Sequence, residues 1–245
     1  MRLRQATTIL QLLDIRTRRP RRFVVAVARI QSRLLTGRKI RIIAGSSGTR
    51  QSGWIATEKE FFDLTSRESM SRFLGRAKID RLLLEHVLEH LTEDEVSAFL
   101  REVSTLLEPD ALIRIAVPDA YHPSPWYRAE MGVGGREPGA EDHKTFWSVD
   151  SLSSIAVNNG FKVEPIEYFD GRGIFHSRFY DEDDGYVARS SRRYVGRLTL
   201  DSQLRSELFA GMDLSVAQDM KDGNLTYTSL IADLSHNVVE TSGAT

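Results

Sequence analysis

The chain reads as an α/β protein built on a mostly parallel sheet with an antiparallel pair at its end. Three observations predict this. Short apolar, β-branched runs alternate with helical spacing along most of the 245 residues. The stretch IDRLLLEHVLEHLTEDEVSAFLREVSTLLEPDALIRIAVPD, Ile79–Asp119, holds strand, charged turn, amphipathic helix and strand in succession. The last two strand-like runs, Phe161–Asp170 and Asn224–Leu234, have no ordinary crossover between them.

In chain order, residues near 6–15 and 23–35 have helical spacing, with Pro20 opening the second helix and Gly37 ending it. Lys39–Gly45 (KIRIIAG) is the first strand and Trp54–Glu58 (WIATE) the second. FFDLT reads as short and extended, and residues 66–75 as helix. IDRLLLE is a strand. Thr92 followed by Glu95 is a capping box that opens a helix running to Leu107. ALIRIAVPD is the next strand, stopped by Pro118. Residues 119–147 carry Pro, Gly, His and Trp without periodicity, and a loop of that length is usually functional or mobile. Ser148 caps a helix over 149–158 that Gly160 ends. Pro165 marks an edge or a bulge in the following strand. Residues 200–220 have helical spacing, and the last strand follows.

Composition narrows the function. The chain has no cysteine, which excludes disulfides, thiolate metal sites and a cysteine nucleophile. No apolar run approaches the roughly 20 residues of a membrane span. RRFVVAVA is too short for a signal sequence, and Arg29 interrupts it. Charge is near balance overall, yet residues 1–41 hold twelve Arg or Lys and one acid, Asp14. An Arg-rich solvated helical face fits this, an anionic membrane surface fits next best, and nucleic acid least. The expected location is cytoplasmic, with the basic segment able to rest on the inner membrane.

Two clusters carry chemistry. AGSSGT follows the first strand, where doubly wound sheets seat nucleotide-type cofactors. It is not a GxGxxG fingerprint, and no GK[ST] follows. Only eight residues separate Gly45 from Trp54, too few for a helix whose N-terminus would hold a pyrophosphate. A cofactor without phosphates fits better, with Glu58 accepting from its ribose hydroxyls. The second cluster, HVLEH at His86–His90, matches the H-x-x-E-H zinc pattern. The abrupt start after a strand and the new helix at Thr92 favour a strand-end turn. In that turn Glu85 and His86 face a cofactor, while Glu89 and His90 hold the backbone. Glu102 and Glu130 are the remaining third-ligand candidates for zinc.

EHVLEHLTEDE, LLEPD and IRIAVPDAYHPSPWY resemble the S-adenosylmethionine-dependent methyltransferases of the broad type-11 group. They are similar in particular to a bacterial subgroup often found among cell-envelope polysaccharide genes. The resemblance extends through GSSGTRQSGWIATE, PGAEDHKTFWSVDSLSSIAVNNGFKVEPIEYFD and DEDDGYVARSSRRY to GNLTYTSLIAD, about residues 39–234. It implies a class I methyltransferase (Rossmann-like) sheet of seven strands with the last antiparallel, here with a shortened first crossover. It implies S-adenosylmethionine as cofactor, held by Gly45, Ser46, Ser47, Gly48, Glu58, Asp63, Glu85 and His86. The acceptor is then a small molecule or a saccharide, methylated on oxygen. The loop from Asp119 offers His143 as base, with Asp119 and His122 as further catalytic candidates. Tyr121, Trp126 and Asp142 would wall the acceptor. No metal is expected in that scheme. His176 could reach the same mouth, and Arg189, Arg192 and Arg193 could hold an anionic acceptor or pair with Asp181–Asp184.

Departures from the family pattern are Ser47 for its second glycine and Pro109-Asp110-Ala111 for its PGG turn. They keep a non-catalytic binding protein as the alternative, with a zinc hydrolase more remote. The expected organisation is a basic helical extension over 1–38, the methyltransferase-like domain over 39–234 with an insertion at 198–222, and a tail over 235–245.

Overall fold

A computed structural model describes residues 21–190 and 229–236. The expected helices at 6–15 and 200–220, the insertion at 198–222, Arg192, Arg193 and the chain beyond 236 lie outside the described residues.

Helix α1 is helical over 21–36, and Gly37 at φ +65° stops it. Ala26 and Ile30, one helical turn apart, are its buried stripe and join the main core, while Val24, Val25 and Leu35 face solvent. Strands β1 (Arg41–Ala44) and β2 (Ile55–Ala56) pair in parallel. FFDLT is not extended as expected. Phe61 and Phe62 N–H both donate to the Glu58 carbonyl, at 3.1 and 3.0 Å, and this closes a turn. Ser66 then caps α2 (Arg67–Leu74).

Strand β3 (Ile79–Glu85) runs into a single 3₁₀ turn at Leu88–His90. The capping box at Thr92 and Glu95 is present and opens α3 (Glu93–Ser104). That helix ends before Leu107, because Leu107 pairs with Ile79 and starts the long strand β4 (Leu107–Pro118), and Pro109 could not continue a helix. The loop expected over 119–147 contains α4 (Pro125–Met131), capped by Ser124 with proline in its first turn. At seven residues it is too short to show a period. A second capping box at Ser148 opens α5 (Val149–Asn158). Strands β5 (Phe161–Phe169), β6 (Phe175–Ser177) and β7 (Ser229–His236) complete the sheet. Pro165 sits at a register shift between β5 and β7, and β6 pairs only with Glu167–Phe169, so the proline lies at a bulge and at a locally unpaired edge of β5.

The seven strands run in the order β2-β1-β3-β4-β7-β5-β6. Strands β1 to β4 pair in parallel, and β7 is antiparallel to both β4 and β5. Strand-interior residues alternate between two cores, as the period of two requires. Ile42, Ala44, Leu82, Leu84, Ile113 and Ile115 face the main cluster, packed with α1, α2, α3 and α5. Ile43, Leu83, Ala116 and Ile231 face a smaller one, closed by Trp54, Tyr180 and Val187.

On that second face, Arg114 of β4 stands opposite Asp233 of β7. Its guanidinium grips the carboxylate through two hydrogen bonds of 2.8 and 2.7 Å. It also donates to the carbonyls of Asp181 and Gly185, and it lies over the Tyr180 ring at 4.5 Å. Both charges are buried, so removing one strands the other. Asp233→Ala should lower stability in urea unfolding by about 3–5 kcal/mol; a change below about 1 kcal/mol would show that Arg114 is satisfied without it.

Candidate functional site

The strand order reverses direction at β1: the chain goes out to β2 on one side and returns to β3 on the other. In open α/β sheets the crevice beyond the carboxyl ends at such a switch point is where ligands bind. Ala44 and Leu84 are register partners, so the turn after β1 and the turn after β3 lie side by side.

The first of these is Gly45–Gly48. Gly45, Ser47 and Gly48 have φ of +61°, +44° and +96°. A Cβ on Gly45 would come within 2.9 Å of Val87 Cγ2, so the close approach of the two turns requires glycine there. Ser46 N–H donates to the Thr57 carbonyl and its hydroxyl to Glu58 Oε1 at 2.8 Å, which fixes the Glu58 carboxylate beside the turn. Arg22 of α1 approaches the same oxygen at 3.6 Å. The second turn is Glu85–His90. His86 takes φ +55°, an uncommon conformation for a residue with a Cβ and one that collects at functional sites. Glu85 Oε1 accepts the N–H groups of Ala188 and Arg189 at 2.7 and 3.1 Å, while Oε2 is buried without a partner among the described residues.

Cavities open on both sides of the Gly-rich turn. Two, of about 580 and 650 Å³, share Arg22, Gly48, Glu58 and Phe61. A third, of about 340 Å³, is lined by Gly45, Ser46, Ser47, Glu85, His86 and His143, and also by Glu89, His90 and Arg189. Each lies within the size range of small-molecule sites. His143 reaches the third cavity because the backbone N–H groups of Lys144 and Thr145 donate to the Glu89 carbonyl, at 2.7 and 3.1 Å. Its Nδ1 lies 2.8 Å from the Met131 carbonyl, so Nδ1 carries the proton and Nε2 is left with a lone pair.

The structure therefore brings together Gly45, Ser46, Ser47, Gly48, Glu58, Glu85, His86 and His143 from the sequence-based set. Of the other predicted site residues, Arg189 also lines the third cavity, and Asp63, His122, Tyr121, Trp126, Asp142 and His176 do not. Asp63 closes a local turn, its Oδ1 accepting from Thr65 N–H and hydroxyl. His122 is fully buried, stacked on Tyr127 at 3.8 Å and edge-on to Phe169. Tyr121 donates to Asp150 at the start of α5, and Trp126 is half exposed on α4. Asp142 is an exposed rim residue, 2.9 Å from His90 Nδ1. His176 pairs with Asp170 instead of reaching the mouth. His86 has Nδ1 2.9 Å from Glu89 Oε1 and Nε2 3.2 Å from Ser229 Oγ, so both ring nitrogens are engaged and it does not combine with His90 as a ligand pair. Glu102 and Glu130 pair with Arg67 and Arg136. Glu89 and His90, expected only to hold the turn, face the cavity; the spacing of HVLEH was the signal for this.

Asp119 is a knot in the scaffold. Its two carboxylate oxygens accept from Tyr121 N–H at 2.9 Å and Phe169 N–H at 2.7 Å, joining the loop after β4 to β5. Burial raises its pKa from 3.8 to about 7, against the lowering effect of those two N–H groups.

No protein-family model and no curated protein matches the chain. Solved structures with a similar arrangement include a methyltransferase from Archaeoglobus fulgidus described as SAM dependent (10% identity, 86% of this chain and 92% of that one, TM-score 0.38). Another is a cyclopropane-fatty-acyl-phospholipid synthase-like protein from Lactobacillus casei (11% identity, 79% and 73%, TM-score 0.40). A third is LepI in complex with SAM (13% identity, 60% of this chain, TM-score 0.36), of whose length the matched region spans 37%. The fold class is the one expected: α/β, with a seven-stranded, mostly parallel, Rossmann-like sheet and an antiparallel last strand. No helix among the described residues is long and apolar enough to cross a membrane.

The raised pKa of Asp119 has a definite sign in stability. Below about pH 4 the group is protonated folded and unfolded. Between about pH 4 and about 7 the unfolded chain ionises first, and stability falls; above about 7 the loss is complete. Asp119→Asn cannot titrate. Plotted against pH, the melting temperature of the natural chain should drop relative to that of Asp119→Asn across this window. Parallel curves would place the carboxylate in an ordinary environment.

Proposed function

We propose that the chain binds S-adenosylmethionine across the Gly45–Gly48 turn and transfers its methyl group to a hydroxyl oxygen of a small-molecule or saccharide acceptor. The observation that carries this is the convergence at the switch point: a Gly-rich turn with positive φ, a carboxylate fixed beside it at the end of β2, and two carboxylates at the end of β3. No crossover helix stands behind the turn, so a phosphate would find no helix N-terminus there. S-adenosylmethionine carries a sulfonium and an ammonium and no phosphate, and Glu85 and Glu89 give the third cavity the charge that suits them.

In this reading Glu58 accepts from the ribose hydroxyls, Ser46 and Ser47 line the backbone cradle, and Glu85 and His86 flank the methionine end. The acceptor enters through the third cavity, with Asp142 and Arg189 at its mouth. Activation of the acceptor oxygen falls to His143, whose ring faces that cavity. The reaction is an in-line displacement. The hydroxyl gives up its proton to His143 Nε2, the oxygen bonds to the methyl carbon, and the carbon–sulfur bond breaks with its electron pair left on sulfur, giving S-adenosylhomocysteine. Alignment at about 3 Å and exclusion of water are the main demands on the protein.

Calorimetry of the full chain should show saturable binding of S-adenosylmethionine. Glu58→Ala, which removes a charged acceptor worth roughly 1.5–3 kcal/mol, should weaken that binding about 10- to 100-fold. Absence of heat at millimolar cofactor would overturn the reading. Binding without turnover on any hydroxyl acceptor would leave the non-catalytic alternative.

A further inference from the structure

Glu89, His90 and His143 place one potential ligand atom each within 4.8 Å of one another. The first two come from the 3₁₀ turn after β3, and the third from a loop more than fifty residues later that is tied to that turn. The tie is specific: besides the two N–H groups on the Glu89 carbonyl, the Thr145 hydroxyl donates to the carbonyls of Leu88 and Leu91, at 3.2 and 3.1 Å. The turn and the loop are thus locked together where the three side chains meet.

Their polar atoms are left in an unusual state. The Glu89 side chain is 1% exposed; its Oε1 faces His86, and its Oε2 is buried with no hydrogen-bond partner among the described residues. A buried carboxylate oxygen without a partner is costly unless something supplies a positive charge. His90 Nδ1 is likewise buried and lies 2.9 Å from Asp142 Oδ1 without the alignment of a hydrogen bond. His143 is 6% exposed and directs Nδ1 at a backbone carbonyl, the arrangement that fixes the tautomer of a metal-ligating histidine and leaves Nε2 to coordinate. The His86 ring on Glu89 orients that carboxylate in the same way.

We propose that Glu89, His90 and His143 form a binding site for a divalent first-row transition metal at the floor of the third cavity, and that the bound cation holds the hydroxyl oxygen of the methyl acceptor. Two imidazoles and one carboxylate suit zinc and its first-row neighbours, whereas magnesium and calcium want oxygen ligands throughout. Zinc holds such ligands at about 2.0–2.1 Å, which puts them roughly 3.3 Å apart in a tetrahedral shell. A closure of at most about 1.5 Å from the present spacing is needed, and His90, 34% exposed and already edge-on to the His143 ring at 4.8 Å, is the ligand with most room to make it. Three protein ligands leave a coordination position for a group in the cavity, which Gly45, Ser46 and Ser47 also line and where the proposed cofactor's methionine end would lie. A cation there lowers the pKa of a coordinated hydroxyl, so in the metal-loaded site the acceptor loses its proton to water before attack and His143 acts as a ligand, its role as base being confined to the metal-free site. The acceptor half of this proposal rests on the methyl-transfer reading; the metal half does not.

The test is zinc titration of the untagged, chelator-treated full chain by calorimetry, without any methyl donor. The expected result is one zinc bound per chain at micromolar affinity or tighter. His90→Ala and His143→Ala should each weaken it by about tenfold or more. His176→Ala, whose ring pairs with Asp170, should leave it unchanged. Cobalt(II) should give visible absorption bands that both ligand variants lose, and circular dichroism checks that they fold; His90, the more exposed ligand, serves if His143→Ala does not. No zinc binding at millimolar concentration, or binding and cobalt bands unaltered in His90→Ala, would overturn the site. Zinc binding with the expected losses but no affinity for S-adenosylmethionine would uphold the site and remove the methyl-transfer reading.

Discussion

Eight residues lie between Gly45 and Trp54, and no crossover helix fits into them. Parallel strands normally need a dozen residues or more to cross over, most of them helical, and that helix covers one face of the sheet. Here that face would be left open above Ile43, Leu83 and Ala116. It is covered instead by Trp54 from the short connection itself and by Tyr180 and Val187 from the segment after β6. The segment is held at each step. Arg114 takes the carbonyls of Asp181 and Gly185, Gln51 hydrogen-bonds both backbone groups of Tyr186, and Glu85 receives Ala188 and Arg189. Ser190 then donates to the buried Glu167 of β5. The Arg114–Asp233 pair links this strap to the centre of the sheet.

The same economy shapes the site. With no helix behind it, the Gly45–Gly48 turn is held by Thr57 and Glu58 of the second strand's end, and it is open to cavities on both sides. Because the strap crosses the end of β3, the Glu85 carboxylate works partly as a structural acceptor, and the polar lining of the third cavity shifts toward Glu89, His90 and His143. The strap thus leaves the third cavity lined by Glu89, His90 and His143 beside the Gly-rich turn.

Much of this was legible in local patterns. The strands β1, β3 and β4, the capping box at Thr92, the cap at Ser148, the Gly160 stop and the edge or bulge at Pro165 were visible because each depends on a few neighbouring residues. The Gly-rich turn and Glu58 were legible for the same reason: both follow directly from where a strand ends. What was hidden depends on contacts distant in sequence. Asp119 and His122 have the residue types of catalysis, but burial against Phe169 and Tyr127 makes them part of the scaffold, and nothing near them in the chain announces that. The approach of His143 to His90 is set by two backbone hydrogen bonds over more than fifty residues. The strap is irregular in sequence and took its meaning only from the face it covers.

The substitution of strap for helix is tested most directly by amide hydrogen exchange over residues 185–190. If the segment closes the second core, the amides of Tyr186, Ala188 and Arg189 exchange slowly, on the scale of the β3 amides, because their hydrogen bonds open only with the sheet. Exchange as fast as in an ordinary surface loop would contradict the account, since the second core would then lack the cover that Tyr180 and Val187 give it among the described residues.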